Sequence, residues 1–149
     1  MNVIFVCTAN ASRSPMAEAL FRRYLREQGV ADVTCASAGV EVVEGLPANE
    51  ITAAVCAEIG VDLTGHVRRQ LRREDLEAAD VVVVMEESHR DAVLALGGAF
   101  DKIYLLGGGI GDPYGQPREA YDLCREAVLK SLPALLRFIQ EKQMEYCTD

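Results

Sequence analysis

The stretch VIFVCTANASRSPMAEALF, from Val3 to Phe21, decides how this chain is read. Val3 to Val6 is a short unbroken apolar run, the pattern of a β-strand covered on both faces. Cys7 closes that run, and Thr8 to Ser14 are small or polar apart from Arg13. Met16, Ala17, Leu20, Phe21, Tyr24 and Leu25 then recur at three-to-four spacing, which predicts a helix that stops at Gly29. Pro15 suits the first turn of that helix, where its missing N–H costs nothing.

The same alternation continues down the chain. Strands are predicted at Val33 to Ser37, at Ala79 to Met85 (ADVVVVM) and at Lys102 to Leu105. Helices are predicted at Ala48 to Ile59, closed by Gly60, at Glu74 to Ala78, at Glu86 to Leu96 and from Pro117 onward. Pro133 falls inside the last pattern and predicts a kink or break there. Strands alternating with helices imply an α/β fold, a parallel sheet with helices on both faces. In such sheets ligands bind beyond the carboxyl ends of the strands. Cys7 and Ser14 lie at that edge.

Composition sets the bounds. A chain of 149 residues, half of them hydrophobic, fits one domain over residues 1–149 with a full core and no need of disulfides. The net charge of −8 argues against nucleic acid, which demands a basic face, and against anionic lipid. With no apolar run of about 18 residues and no basic, cleavable leader, the expected protein is soluble and cytoplasmic, with no membrane partner. The five cysteines, Cys7, Cys35, Cys56, Cys124 and Cys147, are widely spaced without C-x-x-C, as in a reducing compartment where thiols stay free. His66 and His89 are the only histidines and neither is near a cysteine in sequence, so no zinc or other metal is expected. An anionic substrate must therefore be held by a local site.

The Thr8–Ser14 segment can be that site. A helix N-terminus presents unpaired N–H groups and a partial positive charge. If Thr8, Ala9, Asn10, Ala11, Ser12 and Arg13 curl around one point, their amides converge on an oxyanion. Arg13 then grips two oxygens in a bidentate fork. The tetrahedral anion with that demand is phosphate. Cys7 would sit on the floor of the cradle, where cationic and dipolar surroundings favour thiolate over thiol. Ser14 is near enough in sequence to donate to the sulfur, which would face a bound phosphorus. A buried cysteine and a solvated arginine would satisfy the same spacing, and it is the placement at a strand-to-helix junction that favours chemistry.

These residues resemble the N-terminus of the low-molecular-weight protein tyrosine phosphatases, including their bacterial protein arginine phosphatase branch. The likeness extends through SAG at Ser37 to Gly39, GHVRRQL at Gly65 to Leu71, ADVVVVME at Ala79 to Glu86 and DPYG at Asp112 to Gly115. The resemblance implies a flavodoxin-like three-layer sandwich around a four-stranded parallel sheet, with a cofactor-free phosphatase site and phosphorylated proteins as substrates. A monomer is the expected state. By this resemblance Cys7 is the nucleophile, Arg13 the oxygen clamp and Ser14 the partner of the thiolate. Asn10, Ser37 and His66 match polar residues that hold the loop in its strained shape. Asp112 matches the general acid, and Tyr114 an aromatic wall of the cleft.

Asp112 also makes sense unaided, because a leaving oxygen or nitrogen needs a proton. GGGIGDPYG, Gly107 to Gly115, reads as a mobile loop able to carry that acid, or simply as a turn. Its glycines do not form G-x-G-x-x-G, so a dinucleotide site is unsupported.

Three positions depart from the family. Ala9 stands where glycine is usual, with a cost if that residue needs positive φ. Ser12 replaces a second cysteine, which removes a disulfide partner for an oxidised Cys7. Ala11 stands where tyrosine-directed members carry a bulky aliphatic residue and arginine-directed members a threonine. The single aromatic of DPYG leans toward the arginine branch, yet Tyr114 can stack on a phenyl ring or a guanidinium. Phosphotyrosine is the leading substrate and phosphoarginine the alternative. Arsenate reduction is disfavoured because MEESHRDAVLALGG has no cysteine, and a silent phosphate-binding module because Cys7, Arg13 and Asp112 are all present. Arg68, Arg69, Arg72 and Arg73 read as a solvated face, and Tyr24, Tyr104 and Tyr121 as packing or surface residues.

Overall fold

Side chains of a strand leave it alternately on two sides, and here both sides are buried. In a computed structural model that describes residues 1–148, β1 (Asn2–Cys7) sends Val3, Phe5 and Cys7 to one face and Ile4 and Val6 to the other. The first set packs with α1 (Arg13–Glu27) through Met16, Leu20 and Phe21, and with α5 (Arg118–Thr148) through Val128, Leu132 and Leu135. The second set meets Leu76 of α3 (Arg73–Ala78) and Val93 of α4 (Glu87–Ala95). The result is three layers, helix, sheet and helix.

Among the described residues the sheet has four parallel strands in the order β2-β1-β3-β4, where β2 is Thr34–Gly39, β3 is Val81–Val84 and β4 is Ile103–Leu105. The order reverses direction at β1, so the end of β1 is the switch point at which such sheets leave a crevice. Cys7 pairs with Gly39 across that end, and Val6 with Val84 on the other side.

The predicted elements are all present, with ends moved by a few residues. The second strand runs on to Gly39 and so takes in the whole SAG segment. α2 (Glu50–Ala57) starts behind Asn49, whose side chain accepts from the N–H groups of Ile51 and Thr52. Of the kink or break expected at Pro133, the break does not occur: α5 is continuous from Arg118 to Thr148. The missing N–H costs about 3 kcal/mol, but buried Val128 and Leu132 before it and Leu135 and Ile139 after it hold both halves against the same core. Among the described residues no helix is long and apolar enough to cross a membrane.

Candidate active site

The loop between β1 and α1 is held from outside by its carbonyl groups. Cys7 O accepts from Val40 N at 3.0 Å, Thr8 O from Glu41 N at 2.9 Å and Ala11 O from Asn49 N at 2.9 Å. Asn10 O meets His66 Nε2 at 2.8 Å, and Ser12 O accepts from Met16 N at 3.0 Å within the first helical turn. A trans peptide carries its N–H opposite its C=O. Carbonyls committed outward therefore turn the amides of Thr8, Ala9, Ala11, Ser12 and Arg13 toward the loop's interior, at the positive end of α1.

Asn10 is the strut of this loop. Its side-chain amide donates to Ser14 Oγ at 2.8 Å and to Ser37 Oγ at 3.1 Å, while its Oδ1 accepts from Arg69 N at 3.0 Å. It is fully buried, and among the described residues it is the only non-glycine with positive φ, 54°. Asparagine tolerates that region better than most residues. The positive φ on which a cost at Ala9 depends falls instead one residue later, on a side chain suited to it. Gly39 explains the SAG motif: a Cβ there would lie 2.6 Å from Thr8 O and 2.8 Å from Asn10 N.

Cys7 is buried, and its sulfur lies 2.9 Å from Ser14 Oγ. Arg13 is also buried, with 2% of its side chain exposed. Its NH1 binds Glu86 Oε1 and donates to Ile110 O at 2.9 Å. Its NH2 lies 3.4 Å from Thr8 Oγ1 and 3.6 Å from Asp112 Oδ2. Asp112 is thus brought to the loop across ninety-nine residues, with about half of its side chain exposed (48%), and its Oδ1 accepts from Tyr114 N at 3.1 Å. Tyr114 itself is 77% exposed.

Two contributors escaped the sequence reading. Glu86 and His89 stand at the carboxyl end of β3, beside the end of β1, where the sheet-end rule would have pointed. The Arg13 hydrogen bond holds the Glu86 carboxyl below its ordinary range, so it is ionised. His89 is buried and its Nε2 lies 2.9 Å from Thr8 Oγ1. Burial first, and the neighbouring Arg13 second, push its pKa down and favour neutral imidazole. A third, Thr52 of α2, is fully buried and donates to Ser12 Oγ at 2.8 Å.

Other readings change in the structure. The arginine cluster is not simply solvated: Arg69 pairs with Asp75 at 3.0 Å, Arg72 with Glu44 at 2.6 Å, and Arg68 Nε donates to Pro47 O at 2.9 Å. Tyr121 is buried, Tyr104 packs on Phe138 and Tyr24 stacks on Phe21, as packing residues do. A cavity of about 640 Å³ lies on the outer side of β2, lined by Arg22, Cys35, Ser37 and His66 but not by Cys7, Arg13 or Asp112.

The family model described as low molecular weight phosphotyrosine protein phosphatase matches residues 2–145. The chain belongs to this phosphatase family. A protein-arginine-phosphatase of Geobacillus stearothermophilus is 33% identical over 149 residues, covering 95% of this chain and 97% of the relative. The crystal structure of a low molecular weight protein tyrosine phosphatase from T. tengcongensis superposes with a TM-score of 0.86 at 36% identity, covering 92% of this chain and 98% of that one. The YwlE arginine phosphatase, solved as a cysteine-to-serine mutant with a phosphorylated active site serine, gives a TM-score of 0.88 at 31% identity over 94% and 96% of the two chains. The family's flavodoxin-like α/β sandwich is the architecture described above.

Proposed function

We propose that the enzyme hydrolyses phosphorylated proteins, with phosphotyrosine as the leading substrate, through a cysteinyl-phosphate intermediate. The observation that carries this reading is the sulfur of Cys7 set 2.9 Å from Ser14 Oγ at the mouth of α1, beside a buried arginine. Cys7 attacks phosphorus along the axis opposite the leaving oxygen, and Asp112 gives that oxygen its proton. A water then attacks the cysteinyl-phosphate, Asp112 takes the water's proton, and phosphate leaves as the sulfur recovers its electron pair. Arg13 and the inward amides of the loop stabilise the three equatorial oxygens in both steps, and Thr8, Ala9, Asn10, Ala11 and Ser12 supply that frame. Ser37 and His66 act through Asn10, and Tyr114 offers a face for the substrate's planar group.

A second reading, phosphoarginine, draws support from Ala11 and Tyr114. A methyl group at position 11 does not close the cleft to a guanidinium, and one exposed aromatic beside Asp112 serves as well for a guanidinium plane as for a phenyl ring. The arginine phosphatase relative also matches over nearly its whole length.

The test is turnover of phosphotyrosine and phosphoarginine peptides by the same preparation, repeated with Ala11→Thr and Ala11→Ile. Higher kcat/KM for phosphotyrosine, with Ala11→Ile enforcing it, is the expected result. A preference for phosphoarginine that Ala11→Thr strengthens selects the second reading. Inactivity on both, and on p-nitrophenyl phosphate, defeats the reaction class.

A further inference from the structure

Arg13 has five N–H donors, and the structure has already assigned two of them. Both hydrogens of NH1 are spent on protein, one on Glu86 Oε1 and one on the Ile110 carbonyl at 2.9 Å. NH2 makes only long contacts, 3.4 Å to Thr8 Oγ1 and 3.6 Å to Asp112 Oδ2. Two oxygens of one oxyanion therefore fall to the edge formed by Nε and NH2. Which edge of the fork meets the anion is decided by what holds NH1.

Ile110 gives this arrangement a second consequence. Its N–H donates to Met85 O at 2.8 Å, and its carbonyl is the acceptor of Arg13 NH1. It is buried and lies two residues before Asp112. One nitrogen thus links the end of β3, the anion loop and the segment that carries the acid. Glu86 reaches that nitrogen from the start of α4, and its second oxygen accepts from Ser88 Oγ at 3.1 Å, which fixes the carboxylate plane.

We propose that Glu86 is a positioning residue: by holding NH1 it presents the Nε–NH2 edge of Arg13 to the phosphate and keeps the acid loop in register with that clamp. The inference rests on the anion-binding part of the proposed function. Two physical effects of Glu86 oppose each other. Its negative charge weakens attraction for a phosphate dianion, whereas its hold on NH1 spares the arginine the entropy of finding the correct edge. The partly exposed Glu86 carboxylate is screened by solvent, which leaves orientation the larger effect.

The experiment measures inorganic phosphate binding by calorimetry on the full chain, beside kcat and KM for p-nitrophenyl phosphate, with melting temperature recorded for each variant. Glu86→Gln keeps an acceptor oxygen within reach of NH1 and loses the charge; binding within about threefold of the unmodified protein, or tighter, is expected. Glu86→Asp keeps the charge and loses one methylene of reach; binding about tenfold weaker is expected, with KM rising more than kcat falls. Glu86→Ala should resemble Glu86→Asp. Because 42% of the Glu86 side chain is exposed, Glu86→Asp and Glu86→Gln keep the fold and carry the test even where Glu86→Ala does not. Undiminished phosphate binding in Glu86→Asp overturns the inference, as does tighter binding in Glu86→Ala, which charge alone would produce. Phosphate binding without turnover in the unmodified protein would defeat the proposed reaction and leave this inference standing.

Discussion

Ser14 Oγ lies 2.9 Å from the sulfur of Cys7 and itself accepts from the Asn10 side chain at 2.8 Å. With Asn10 donating to it, the hydroxyl has one proton and two acceptors in reach, the sulfur at 2.9 Å and Ala38 O at 3.4 Å, and the nearer is the sulfur. In the proposed reaction that sulfur is nucleophile first and leaving group second, and a donor helps it most when it leaves. Ser14→Ala is expected to lower kcat about 10²-fold, the usual loss for one preorganised donor. Stopped-flow traces with p-nitrophenyl phosphate should then show a burst of one nitrophenol per enzyme before a slower steady rate. An unchanged kcat without a burst contradicts the assignment.

Asn10 joins three partners while holding φ at 54°. Asn10→Ala leaves those groups unpaired in a buried place and keeps the backbone strain, so a loss of about 2–4 kcal/mol in urea unfolding is expected. Asn10→Gly relieves the strain and restores none of the hydrogen bonds. It should recover about 1 kcal/mol of the stability and none of the activity.

His89 makes stability depend on pH. Its pKa is lowered from the ordinary 6.5 by burial and by Arg13, against the smaller opposing pull of Glu86 and Asp112. Its Nδ1 is buried without a hydrogen-bond partner among the described residues. As pH falls, the unfolded chain therefore takes up the proton before the folded one does. The stability held by neutral His89 is whole above pH 6.5 and is lost as the pH falls from there through the folded-state value. Urea midpoints measured downward from that pH should decline, and His89→Asn should flatten the decline. A slope unchanged in His89→Asn contradicts this origin.

Ser12 removes the local route for rescuing an oxidised Cys7. Its hydroxyl is engaged by Thr52 at 2.8 Å, and burial pushes the Cys124 thiol up to about 12 and the Cys56 thiol up to about 11, far from the thiolate a resolving cysteine needs. Excess hydrogen peroxide should carry Cys7 past the sulfenic acid to the sulfinic acid, which thiols do not reduce. Most activity is expected to stay lost after dithiothreitol. Full recovery in this protein, or no gain in recovery from Ser12→Cys, contradicts the account.

The loop from Cys7 to Ser14 was legible because everything that builds it is local: an apolar run, a proline at the helix start and small residues between. Glu86 and His89 were not, because EESH at a helix start looks like ordinary first-turn polarity until β3 is laid beside β1. The arginine cluster misled for the same reason, since its partners Glu44 and Pro47 come from a loop more than twenty residues away. At Pro133 a local rule was overridden by buried leucines on either side. Whether the methyl group of Ala9 carries a cost was not legible, because only coordinates reveal that the residue with positive φ is Asn10.

The central claim, that the sulfur of Cys7 carries the phosphoryl group between the two steps, is tested most directly by mass spectrometry of the Asp112→Asn variant quenched during turnover of p-nitrophenyl phosphate. The account predicts one phosphate on the peptide that contains Cys7, building up before steady state and disappearing as substrate is exhausted. Continued turnover by Cys7→Ser, or a quenched enzyme with no phosphate on that peptide, would contradict it.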